Sequence, residues 1–127
     1  MACNCDPATL VNNTWVLTDY GPENATIPAL DPAAATPPGN GVVTLSFNGN
    51  KVNGKDGCNT YFGVFSQSGC SFSVDSINTT LILCQQDIMT QANAYMTILQ
   101  AAETFSTKND KLKLCTGDDR VLIYRKQ

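Results

Sequence analysis

Residues 42–64 read VVTLSFNGNKVNGKDGCNTYFGV and constrain the fold more than any other stretch. Val43, Leu45 and Phe47 fall on one side of a period-two alternation; Thr44, Ser46 and Asn48 fall on the other. That is the pattern of a half-buried strand. Asn48, Gly49 and Asn50 tolerate positive φ and predict a hairpin turn. Val52 opens a second, shorter strand, which Gly54 closes. Gly57, Cys58 and Asn59 form a corner of a different kind: glycine permits an unusual backbone angle, cysteine can anchor the bend, and the asparagine side chain can bond nearby main chain. Tyr61, Phe62, Val64 and Phe65 begin a third, aromatic-rich strand.

The flanking sequence extends this theme. TWVLTDY, starting at Thr14, predicts the first strand, with Trp15 as a core anchor beside Leu17. CSFSVD, starting at Cys70, alternates with Cys70, Phe72 and Val74 inward, and INTTLILC, ending at Cys84, predicts a further extended segment. Then the period changes. Ile88, Met89, Ala92, Tyr95, Met96, Leu99 and Ala102 form an i, i+3, i+4 stripe uninterrupted by Gly or Pro, which predicts one helix. It spans about residues 87–103, with Asp87 as N-cap and Ala102 or Glu103 at its end. Phe105 then enters another strand. KLKLC (from Lys111) and VLIY (from Val121) predict two closing strands with Leu112 and Leu114 inward. Strands outnumber the helix and several are hairpin-linked. The expected class is mainly β (α+β), a small antiparallel β-barrel with one α-helix. Residues 1–13 read as a lead-in and residues 14–127 as a single domain.

Composition excludes more than it assigns. The 127 residues suit one domain. The formal charge is −3 with no basic run, which argues against a nucleic-acid partner. No apolar stretch reaches the roughly 20 residues of a transmembrane segment. Histidine is absent, which removes the commonest general base and metal ligand. The six cysteines are Cys3, Cys5, Cys58, Cys70, Cys84 and Cys115, without a CxxC pair. The spacing is not that of a zinc site, and the even count favours disulfides over free buried thiols, hence an oxidising compartment. Spacing alone leaves the connectivity open.

Taken together, four stretches resemble the META domain, also called the HslJ-like family. They are TWVL from Thr14; VVTLSFNGNKVNGKDGCNTYFGVF with its GCN-Y-G pattern; Thr80 followed by Cys84; and the helix followed by KLKLC and VLIYR. The resemblance covers nearly the whole chain after residue 13. It implies a small mixed barrel with one helix, an exported and often lipid-anchored protein in bacteria, and no defined reaction. It also implies a disulfide between Cys58 and Cys84, leaving Cys3, Cys5, Cys70 and Cys115 in unassigned pairing. The four additional cysteines and a Pro/Ala-rich insertion depart from the family pattern.

That insertion, residues 21–41, holds five of the six prolines. It is neither helix nor inner strand, and it is long for a loop of a compact domain. Its apolar residues Ile27, Pro28, Ala29 and Leu30 are the candidate binding surface; the bland reading is a tolerated insertion. Three sequons, at Asn12, Asn24 and Asn78, are candidate glycosylation sites if the source is a eukaryotic secretory pathway. Cys3 is a candidate for lipidation or for a disulfide. The acidic residues sit mostly at turns, where they cap backbone donors, so no catalytic residue, metal or cofactor is expected. The expected function is a non-enzymatic exported module with a protein partner, inhibitory or envelope- and stress-associated. The alternative is a carrier of a small apolar ligand inside the barrel.

Overall fold

The structure, a computed structural model, describes residue 10 and residues 13–30 and 41–127. The elements run β1 (Thr14–Pro22), β2 (Ile27–Pro28), β3 (Thr44–Asn48), β4 (Lys51–Lys55), β5 (Thr60–Ser68), β6 (Ser71–Thr79), α1 (Gln86–Ala101), β7 (Ala102–Lys108), β8 (Lys111–Thr116) and β9 (Arg120–Lys126). Every strand pairing is antiparallel. The order follows the chain, and β1 pairs with β9 to close the sheet. This is the expected closed barrel: eight strands, with two-residue β2 added along the second half of β1.

The alternation read from the sequence sets the core. Leu45 and Phe47 of β3, Tyr61 and Phe65 of β5, Phe72 and Val74 of β6, and Leu112 and Leu114 of β8 all point inward and are buried. Trp15, Phe105 and three tyrosines fill the centre. Phe47, Phe65, Phe72 and Phe105 meet in successive ring contacts with centroids 4.8–6.2 Å apart, the range of favourable edge and offset packing. A gap in β4 lets the barrel close tightly: a Cβ added at Gly54 would stand 2.1 Å from the Thr44 carbonyl oxygen.

Several expectations need correction. Asp87 is not the N-cap. The helix starts one residue earlier, Gln85 holds the cap position without a side-chain bond, and the Asp87 carboxylate accepts instead from the Ile88 N–H. The helix ends at Ala101, because Ala102 turns to extended backbone and enters β7 directly. Met89 and Met96 are only half-buried, whereas Gln91 and Ile98 are buried. Of the two phenylalanines of β5, Phe65 is the inward one and Phe62 faces outward, because Tyr61, Gly63 and Phe65 take the inward positions. Cys70 lies at the turn before β6 and is half-buried rather than inward. The extended segment that ends at Cys84 divides in two: β6 continues to Thr79, and residues 80–85 follow without regular structure. A bulge lies opposite residues 62–64, where Ser76 takes a positive φ of 55°.

Candidate functional site

The corner foreseen in residues 57–59 organises one end of the barrel. Asp56 is buried, and its Oδ1 accepts the N–H groups of Cys58 at 2.9 Å and Asn59 at 2.6 Å. The Asp56 N–H returns to the Asn59 carbonyl. This carboxylate-capped turn requires Gly57, whose φ is +101° and whose absent side chain admits the Gly41 backbone.

Two segments are moored to that corner. The first is residues 80–84. Cys58 and Cys84 are joined by a disulfide with Cα atoms 6.0 Å apart. The Asn59 side chain acts as a second tie: its Oδ1 accepts from the Ile82 N–H at 2.6 Å and the Thr80 hydroxyl at 2.8 Å, and its Nδ2 donates to the Ile82 carbonyl at 3.2 Å. The Thr80 N–H donates to the Thr60 carbonyl. The Thr80 N–H and both main-chain groups of Ile82 are thus satisfied by the barrel and its corner. Among the described residues, no hydrogen bond engages the main chain of Leu81 or Leu83. Their side chains are 93% and 90% exposed, and Ile82 is 56% exposed. Leucine at that exposure on a doubly fastened segment is the most unusual surface feature of the described molecule.

The second segment carries the candidate loop residues. Ile27 and Pro28 form β2, opposite Tyr20 and Asp19 of β1, and both are exposed. Ala29 donates to the Thr18 carbonyl. The Leu30 N–H donates to Gln91 Oε1 at 2.8 Å, and Gln91 Nε2 donates to the Gly41 carbonyl, also at 2.8 Å. Gln91 therefore ties both described ends of the insertion to the helix. Ile27 borders an open groove of about 380 Å³ with Tyr20, Asn93, Thr97 and Ile98. Residues 31–40 lie outside the described residues, as do Asn12, Cys3 and Cys5. Asn24 and Asn78 are both exposed, and Cys70 is disulfide-bonded.

Inside the barrel, the polar chemistry is a chain of three buried tyrosines. Tyr124 donates to Tyr95 at 2.9 Å, the Tyr95 and Tyr61 hydroxyls lie 2.7 Å apart, and Tyr61 donates to the Thr44 carbonyl at 2.7 Å. With the Tyr61 proton committed to Thr44, Tyr95 donates to Tyr61. Burial raises all three hydroxyls well above the ordinary tyrosine range, so they stay neutral at physiological pH. At the surface, Asp118 is held below the ordinary carboxylate range by the Thr116 hydroxyl and then by Arg120. Among the described residues, no three His, Cys, Asp or Glu side chains gather to hold a metal ion, and no helix is long and apolar enough to cross a membrane.

Sequence reasoning placed the corner but not the exposed leucines. LILC falls in the segment expected to be extended, and its only signal of exposure is three apolar residues in succession where alternation lapses.

An eight-stranded antiparallel barrel with one helix and a disulfide-moored corner defines a small barrel domain. The META domain model matches residues 8–127, and the chain belongs to that family. No curated protein matches it. Among solved structures, it is similar to a protein from Burkholderia xenovorans determined by NMR, with TM-score 0.77 and 17% identity over 100% of this chain and 92% of the other. It is also similar to a DUF4847 family protein from Bacteroides vulgatus, with TM-score 0.63 and 15% identity over 93% and 94% of the two chains. At such identities the likeness speaks for the fold alone.

Proposed function

We propose that this protein is a non-enzymatic binding module, exported to an oxidising compartment, which recognises a protein partner through residues 80–84. The observation that carries this reading is the pairing of near-complete exposure at Leu81 and Leu83 with double fastening of the residues between and beside them. Exposed leucine costs solubility, and a segment fastened before binding loses little conformational entropy on binding. The Cys58–Cys84 and Cys70 disulfides are compatible with secretion or a periplasmic or cell-surface setting. The carrier alternative has less support. The barrel centre is filled by Trp15, Tyr61, Tyr95, Phe105 and Tyr124, each at most 2% exposed, whereas a carrier needs an apolar cavity. The 27–30 strip, moored through Gln91, is a secondary contact candidate on the same module.

Affinity capture from the native extract tests the reading. A partner retained by the wild type should be lost with Leu81→Ser/Leu83→Ser and kept with Ile27→Ser. Retention by the Leu81→Ser/Leu83→Ser variant, or co-purification of a lipid with no protein partner, would overturn it.

A further inference from the structure

Residues 80–84 have the hydrogen-bonding pattern of a bound peptidase substrate, with the barrel taking one edge and the other left open. In an extended chain, the N–H and C=O of one residue point to one edge and those of its neighbours to the opposite edge. Here the Thr80 N–H is spent on the Thr60 carbonyl, and both main-chain groups of Ile82 are spent on the Asn59 side chain. Leu81 and Leu83, two residues apart, have both main-chain groups free among the described residues. A peptidase cleft that adds the substrate to its own strand edge needs that set: alternate residues with free main chain, and side chains available for pockets.

We propose, building on the binding-module reading, that residues 80–84 form a substrate-like inhibitory loop for serine endopeptidases with an apolar primary pocket. Leu83 enters that pocket, and Leu81 pairs two residues upstream. Leu83 is the better placed of the two leucines because anchors stand on both sides of it: Ile82 is gripped by Asn59, and Cys84 is covalently tied to Cys58. The tie also explains inhibition rather than turnover. If the peptidase hydroxyl attacks the Leu83 carbonyl carbon, the bond to the Cys84 nitrogen breaks, that nitrogen takes up the hydroxyl's proton, and an ester forms. The new amine cannot diffuse away, because Cys84 remains bonded to Cys58. It stays beside the ester and re-forms the peptide bond, returning the proton to the hydroxyl, in competition with water. The peptidase class follows from the staple. Reducing conditions that keep a thiol nucleophile active would open Cys58–Cys84, so a hydroxyl nucleophile fits the compartment. Leucine side chains select an apolar pocket, as in chymotrypsin or subtilisin, over the acidic pocket of trypsin.

The test uses the intact oxidised protein with chymotrypsin, subtilisin and trypsin, read by hydrolysis of small chromogenic substrates. Near-stoichiometric inhibition of chymotrypsin or subtilisin is expected, with none of trypsin. Leu83→Lys should weaken the first by about 100-fold or more and create inhibition of trypsin. Leu83 is almost fully exposed, so unchanged thermal melting should accompany the switch. Absence of inhibition of both apolar-pocket enzymes, rapid complete cleavage after Leu83, or inhibition indifferent to Leu83→Lys would each overturn the proposal. If those results came with a native partner still captured through Leu81 and Leu83, the binding-module reading would stand and only the peptidase assignment would fall.

Discussion

Inside the barrel, apolar bulk is hidden and a few hydroxyls are paired; along residues 80–84, apolar bulk is exposed and the main chain is what is paired. Phe105 is fully buried, and Leu83 is nearly free of the protein. Both are held in place, by opposite means. The interior is fixed by shape, through ring contacts and interdigitated leucines. The displayed segment is fixed by one covalent bond, one asparagine and the bonds between Thr80 and Thr60, which leave the side chains of Leu81 and Leu83 uncommitted. On the proposed reading, stability and recognition reside in different residues, and substitutions should separate them.

The largest effect belongs to the interior. Phe105→Ala empties a position against Phe72 at the barrel centre and should cost about 3–5 kcal/mol, measured as a fall in the denaturant midpoint. If the cost were under about 1 kcal/mol, the interior would not be packed as described, and the carrier alternative would regain weight.

The staple comes next. The disulfide closes a separation of 26 residues, for which chain entropy gives about 3–4 kcal/mol. Cys58→Ala/Cys84→Ala should lose about that much and should also loosen residues 80–84, seen as faster amide exchange at Ile82. Non-reducing peptide mapping of the wild type should recover the two cysteines in one linked pair; finding both as thiols would remove the comparison altogether. Asn59→Ala cuts the second tie and leaves the Ile82 N–H and C=O without their partner. A cost of about 1–3 kcal/mol is expected, with the Ile82 amide again the reporter.

The tyrosine chain distinguishes the two regions by pH. The folded state raises Tyr61, Tyr95 and Tyr124 through burial, so the unfolded chain releases these protons first. Their contribution is full below the ordinary tyrosine value of about 10 and is lost as pH rises above it. Tyrosinate absorbance from these three should therefore appear together with unfolding. Ionisation of the three in the folded protein, ahead of unfolding, would mean that the interior admits water.

Much of this contrast was legible in the chain. Period-two alternation in β3, β6 and β8 gave the inward residues, because a strand buried on one face must alternate. The corner at 57–59 was legible because glycine, cysteine and asparagine each have few alternative uses there. The family likeness, not spacing, pointed to Cys58 with Cys84. What stayed hidden depends on distant partners. Gln91 is a polar residue beside an apolar stripe, and nothing local shows that its amide serves Leu30 and Gly41, 61 and 50 residues away. Asp87 looked like a cap, but the segment tied at Cys84 delivers the chain at Gln85 and starts the helix earlier. The exposure of Leu81, Ile82 and Leu83 within the expected extended segment stayed hidden because hydrophobicity alone does not say which face meets water.

The smallest expected effect is the most discriminating. Leu81→Ser/Leu83→Ser removes two large apolar side chains, yet both lie in solvent, so folding stability should move by no more than about 0.5 kcal/mol. The same change should abolish partner capture, because it deletes the apolar side chains while leaving the Asn59 and Cys84 anchors intact. A thermal melt and a capture assay on one preparation measure both. A loss of several kcal/mol would show that the leucines pack against the protein and would dissolve the division between hidden and displayed bulk. Unchanged stability with abolished capture would leave recognition in two side chains that the fold itself does not use.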